Sequence, residues 1–151
     1  MAVRRRLNRA REALGAEGGS ALIETALVLP VVLVLVAGIV MTGRVVHAQV
    51  AVQAVVREAA RTIAVAPSLE AGLGAAEARA LAVADGHGLS PNDLALSLDA
   101  GGFGRGGTVR TTAAYPVSLA GLPLLGRMTV TVTAVHEERI DLYRSRAGVS
   151  P

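Results

Sequence analysis

Gly18-Gly19-Ser20-Ala21-Leu22-Ile23-Glu24-Thr25 runs straight into Ala26-Leu27-Val28-Leu29-Pro30-Val31-Val32-Leu33-Val34-Leu35-Val36-Ala37-Gly38-Ile39-Val40-Met41. From Ala21 to Met41 the single ionisable side chain is Glu24. A helix from Ser20 to Gly43 would rise about 36 Å at 1.5 Å per residue, enough to cross a hydrocarbon core of ~30 Å. Pro30 and Gly38 weaken a soluble helix, but membrane helices tolerate both, with a local bend expected near Pro30. An acidic residue at the centre of a span costs roughly 2.5 to 3.5 kcal/mol on insertion scales. The place of Glu24 therefore needs a reason.

The flanks give the segment a direction. Residues 1–19 hold Arg4, Arg5, Arg6, Arg9 and Arg11 against Glu12 and Glu17, and the chain after Gly43 is close to charge balance. The basic excess behind the pI of about 10.5 thus sits beside the apolar run, where the positive-inside rule puts the cytoplasmic side. A nucleic-acid-binding tract would interleave its basic residues with aromatics or spread them on a folded surface, and this one does neither. The same locality explains the 52% hydrophobic content and the mean hydropathy of +0.49 in a chain of 151 residues. That length suits one domain with an appendage. There are no cysteines, which excludes disulfides, thiol catalysis and Cys-type zinc sites. Phe103, Tyr115 and Tyr143 are the only aromatics, so any core is built from small aliphatic side chains.

Three readings of the apolar run compete. A cleaved secretory signal has the basic start, but the h-region is long, Glu24 lies at its beginning, and no Ala-x-Ala follows closely. A twin-arginine signal is weaker, since Arg4-Arg5-Arg6-Leu7 lacks the surrounding pattern. A plain single-pass anchor would leave Glu24 among the headgroups, at little cost. The third reading adds a partner. Cleavage between Gly19 and Ser20 would leave an α-ammonium at Ser20, and in a parallel array of helices that amine could meet Glu24 of a neighbouring copy. Such a pair offsets the desolvation of both charges and fixes axial register.

Here the residues resemble a family. A basic leader, Gly19 before Ser20, Glu24 as the fifth residue from Ser20, and an apolar helix resemble a type IV prepilin processing region. The string from Gly19 to Ile39 resembles the TadE-like proteins of tight-adherence (Flp-type) pilus systems, as does Gln53-Ala54-Val55-Val56-Arg57-Glu58-Ala59-Ala60-Arg61. The resemblance covers about residues 15–63. It implies a bacterial minor pseudopilin or assembly component, anchored in the inner membrane with its C-terminal domain extracytoplasmic, in the filament or at its base. It implies Gly19 and Ser20 as the processing site and Glu24 as the register residue. Other pilin or pseudopilin subunits, a prepilin peptidase and the pilus assembly platform are the implied partners. The Flp-type motif commonly has Tyr after the Glu, where this chain has Thr25. About 108 residues follow Gly43, whereas the major pilins of such systems are little more than the helix. Small residues Gly38, Thr42 and Gly43 would let neighbouring helices approach closely.

Beyond the span, Val45, Ala48, Val52, Val55 or Val56, Ala59 and Ile63 recur at three- and four-residue spacing, while Gln53, Arg57 and Arg61 share another face. Span and stripe read as one long helix ended by Pro67, with Glu58 and Arg61 as a possible i,i+3 pair. Ser68 can cap a second helix to about Asp85, stopped by Gly86. Leu94–Asp99, Thr108–Tyr115 and Met128–Ala134 are predicted strands, the first two joined by a loose glycine loop over 101–107 and the last two by 116–127. The fold expected is α+β: a long N-terminal transmembrane helix continuing into an amphipathic helix, packed on a small three-stranded antiparallel sheet. The expected organisation is a basic cytoplasmic leader (1–19), a transmembrane helix (20–43), an exported α+β domain (44–146) and a tail (147–151).

Nothing in the chain suggests catalysis or a cofactor. The glycine loop lacks the Gly-Lys-Ser/Thr ending of a phosphate loop. His47, His87 and His136 are far apart in sequence without metal-ligand spacing and read as surface residues. Asp85-Gly86-His87-Gly88 is a turn, with no nucleophile elbow elsewhere in the chain. Glu137 and Glu138 would point to opposite faces of a strand, and with Arg139, Asp141, Arg144 and Arg146 they suggest a solvated tail. The expectation is a non-enzyme without cofactor or metal. A different class remains open: an unprocessed, membrane-anchored binding module whose exported domain recognises a ligand.

Overall fold

The computed structural model describes residues 21–120 and 128–141, together with the backbone of 2–20. The elements are α1 (Ala2–Val65), α2 (Leu69–Gly86), a 3-10 turn (Pro91–Asp93), β1 (Ala95–Asp99), β2 (Thr108–Ser118) and β3 (Thr129–Arg139). The chain divides into two compact units, Met1–Val40 and Met41–Pro151. Helix and antiparallel sheet together make an α+β chain, as the residue patterns predict.

In the first unit, every described side chain is exposed except Ala37. The helix is apolar all round, so no face turns inward by default. Pro30 lies inside α1, which continues past it.

In the second unit the stripe on α1 is buried. Val52, Val55, Ala59 and Ile63 are inaccessible to solvent, with Ala51, Val56 and Ala60 beside them. α2 buries Gly72, Ala76, Ala80 and Ala84 at four-residue spacing. Three pairings make α2 antiparallel to the end of α1. A Cβ on Gly72 would stand 2.9 Å from the Ala66 Cβ and 3.5 Å from the Ile63 Cα. Arg79 Nε donates to Glu58 Oε1 at 3.0 Å, and His47 Nε2 lies 2.9 Å from the His87 carbonyl. Alanine and glycine at the contact let the backbones come close, which compensates for the missing large side chains. Glu58 therefore pairs with Arg79 on the neighbouring helix rather than with Arg61 on its own.

Ser68 caps α2, its hydroxyl accepting from the Ala71 N–H at 3.3 Å. The stop differs from expectation. Gly86 is still helical, and the reversal comes at Gly88, whose φ is +71°. Gly88 N–H donates to the Asp85 carbonyl (2.8 Å) and Leu89 N–H to the Ala84 carbonyl (2.9 Å). This is the paired bonding of a Schellman end, with Ala84 and Leu89 both buried.

The sheet runs β1-β2-β3, both pairs antiparallel, with Leu96 facing Ala113 and Ala113 facing Ala134. Leu96 and Leu98, Val109, Thr111, Ala113 and Val117, and Val132 and Ala134 turn to the core, while threonines dominate the other face of β3. Both long strands outrun their predicted ends. β2 continues through Pro116, beyond the last pairing with β1 at Ala114, where a residue without an N–H is tolerated. β3 continues to Arg139, so Glu137, Glu138 and Arg139 belong to the sheet rather than to a tail. Glu137 pairs with Arg110 on the outer face, and Glu138 turns to the other face beside His136. Residues 121–127 and the stretch with Tyr143, Arg144, Arg146 and 147–151 lie outside the described residues.

The glycine loop, a loose connection by its sequence, is bonded to the end of β3. Gly101 and Gly106 have φ of +53° and +75°, and a Cβ on Gly107 would collide with the Gly102 carbonyl. Gly106 N–H donates to the Ile140 carbonyl at 3.1 Å, and Ile140 N–H to the Gly107 carbonyl at 2.8 Å. The glycines let the backbone fold against itself and bond to the end of β3.

Candidate functional site

Glu24 lies on α1 with Leu22, Ile23, Leu27 and Val28 around it, all well exposed. No side chain among the described residues pairs with it. Thr25 closes its own hydrogen bond, its hydroxyl donating to the Ala21 carbonyl at 2.8 Å, one turn back. Glu24, Thr25, Val28, Leu29 and Val32 outline a shallow hollow on the helix surface. A carboxylate at the rim of an apolar hollow is a place where an incoming amine would lose water and find a counter-charge together.

Gly19 and Ser20 lie within the helical backbone of α1; their side chains are outside the described residues. Gly38 and Thr42 are four residues apart and share a face, both exposed, and Gly43 is turned roughly 100° from Thr42. A Cβ at Gly38 or at Gly43 would meet nothing within 4 Å, so both leave open helix surface for a neighbour.

Ala21–Val65 is long and apolar enough to cross a membrane. Leu22, Ile23, Val31 and Ile39 are 73%, 66%, 67% and 64% exposed, on different sides of the helix, as suits a helix with lipid or partner helices around it.

Residues 19–61 match the family model described as TadE-like protein. That segment is TadE-like. The match opens at Gly19 and closes at Arg61, so it spans the glycine before Ser20, Glu24, the apolar run and nearly all of the buried stripe. It associates the chain with Tad pilus systems, and with the apolar helix it fits membrane anchoring. No curated protein and no solved structure matches the chain.

Three features of the chain escape a reading by motif. His47 and His87, forty residues apart, are brought to a ring-centroid distance of 6.5 Å by the helical hairpin. Among the described residues no group of three His, Asp or Glu side chains is placed to hold a metal ion. Thr111 is fully buried, and its hydroxyl has no hydrogen-bond partner among the described residues. Gln49, Val50, Gln53, Ala54 and Arg57 outline a second hollow, on the exposed side of α1. The four-residue spacing of Gln49, Gln53 and Arg57 was the available signal for it.

Proposed function

We propose that this chain is a minor pseudopilin or assembly component of a tight-adherence (Flp-type) pilus, and that its work is lateral helix packing rather than catalysis. The observation that carries this is Glu24: one carboxylate on an apolar stretch of helix whose described side chains up to Val36 are all exposed, at the rim of a hollow, five residues after the start of the TadE-like match. In this account a prepilin peptidase cuts between Gly19 and Ser20. Two adjacent glycines, Gly18 and Gly19, lower the cost of unwinding the helix there, by about 1 kcal/mol each relative to alanine. The Ser20 ammonium of one copy then meets Glu24 of the next. Gly38, Thr42 and Gly43 give the helices room to approach. The chain sits in the inner membrane with residues 44 onward extracytoplasmic, and it meets the assembly platform and other pilin-type subunits there.

Glu24→Ala tests the idea. The variant should insert in the membrane at the wild-type level, since the span becomes more apolar. Pilus assembly should fall steeply, and Glu24→Asp should recover part of it. Normal piliation by Glu24→Ala would remove the reason for the residue.

A further inference from the structure

Two exposed stripes in the second unit have no counterpart among the described residues. On α1, Val46, Val50, Gln53, Arg57 and Arg61 follow one another at four-, three-, four- and four-residue steps, which places them within one narrow strip of the helix. All five are exposed. On α2, Glu70, Gly74, Glu77, Leu81 and Asp85 repeat the same steps, exposed except for the half-buried Leu81. Among the described residues neither Arg57 nor Arg61, and neither Glu70 nor Glu77, has an ion-pair partner. One stripe ends in cations and the other begins in carboxylates.

We infer that copies of this chain associate head to tail, the α1 stripe of one seated on the α2 stripe of the next. The inference rests on the packing role proposed above and names the surfaces that carry it. Copies inserted in one direction across a membrane have parallel α1 helices, so the α2 of a neighbour runs antiparallel to α1, as it does within one chain. In that direction the matching steps set Arg61 against Glu70, Arg57 over Gly74 and Val50 against Leu81. Glu77 then enters the hollow formed by Val50, Gln53, Ala54 and Arg57, a knob in a hole of the kind helices use to interlock. Gly74 leaves space for the arginine stem. A two-fold arrangement would instead set Arg57 and Arg61 against their own copies. The surfaces are different on the two sides of the contact, so the association does not close on itself at two copies.

The register also has a consequence for spacing. Within the chain, the contact of Gly72 with Ile63 puts Glu70 level with Val65. In the contact between copies Glu70 is level with Arg61. Neighbouring helices are therefore displaced by four residues, about 6 Å along the axis.

The chain has no cysteine, so introduced ones report unambiguously. Two forms of the full chain, Gln53→Cys and Ala78→Cys with tags of different size, are co-expressed and oxidised in intact membranes. The mixed 53–78 dimer is expected to exceed both homodimers. Arg61→Glu should lower its yield about three- to fivefold, the range for a partly exposed charge pair, and adding Glu70→Arg should restore it. Homodimers alone, or cross-links only to other proteins, would overturn the inference. A photo-reactive residue at Leu35 in the same membranes separates the two claims. Self-capture at Leu35 without a 53–78 product refutes this interface and leaves the packing role standing; no capture at either place refutes both.

Discussion

Two stretches of α1 use the same residue types to opposite ends. Between Ala21 and Val40, leucine, valine and isoleucine surround the helix and stay exposed, Leu22 at 73% and Ile39 at 64%. Between Ala48 and Ile63, most apolar residues are gathered on one side and buried, with Val52, Val55 and Ile63 at 0% and Val50 left exposed. The difference lies in what breaks the run. Gln53, Arg57 and Arg61 give the second stretch a wet face, and α2 and the sheet then have one face to cover. The first stretch has no such face, so its environment must be apolar on every side. Composition makes a helix in both; the placing of a few polar residues decides whether the helix is held by its own chain or by something outside it.

The sharpest way to break that contrast is to put the same carboxylate in each stretch. Ile63→Asp buries an unpaired charge among alanines and valines and should cost more than about 4 kcal/mol, enough to unfold the second unit. Circular dichroism of the full chain in detergent should show the cooperative transition lost. Leu35→Asp should leave that transition in place and instead reduce the fraction of chain extracted with membranes. Equal effects of the two on folding would erase the distinction between the stretches.

A smaller effect is expected where the second unit depends on backbone approach. Gly107→Ala sets a methyl group against the Gly102 carbonyl and should destabilise the unit by about 2 kcal/mol. Its Tm should fall while membrane extraction stays unchanged. The smallest effect has the opposite sign. Thr111 is buried between Leu98 and His136 in the sheet register, its hydroxyl unpartnered among the described residues. Thr111→Val keeps the shape and removes the unpaired group, and should raise stability by about 1 kcal/mol, read as a higher Tm.

These sites also show what was legible beforehand. The span, the stripe on α1, the cap at Ser68 and the alternation of Thr and Val in β3 rest on local periodicity, and the sequence carries them openly. Strand ends were not legible. Pro116 looks like a terminator until β1 is seen to stop short of it, and Glu137 to Arg139 look like a solvated tail until β2 supplies a ladder for them. Gly86 had the right residue type for a helix stop, but Gly88 is the one whose carbonyl acceptors lie in reach. The pairing of Glu58 with Arg79, of His47 with His87 and of the glycine loop with Ile140 depends on which elements pack together, which no short spacing encodes. Glu24 was visible as an anomaly from the first, because a lone charge in an apolar run needs no fold to be noticed.

The role of Glu24 turns on whether it has an amine to meet. Mass spectrometry of the N-terminal peptide of the mature protein, purified from membranes of its native host, addresses this directly. A chain beginning at Ser20 is the expected result, placing a free ammonium four residues before the carboxylate. A chain beginning at Met1 would contradict it, and would leave Glu24 as an interfacial residue of an unprocessed anchor.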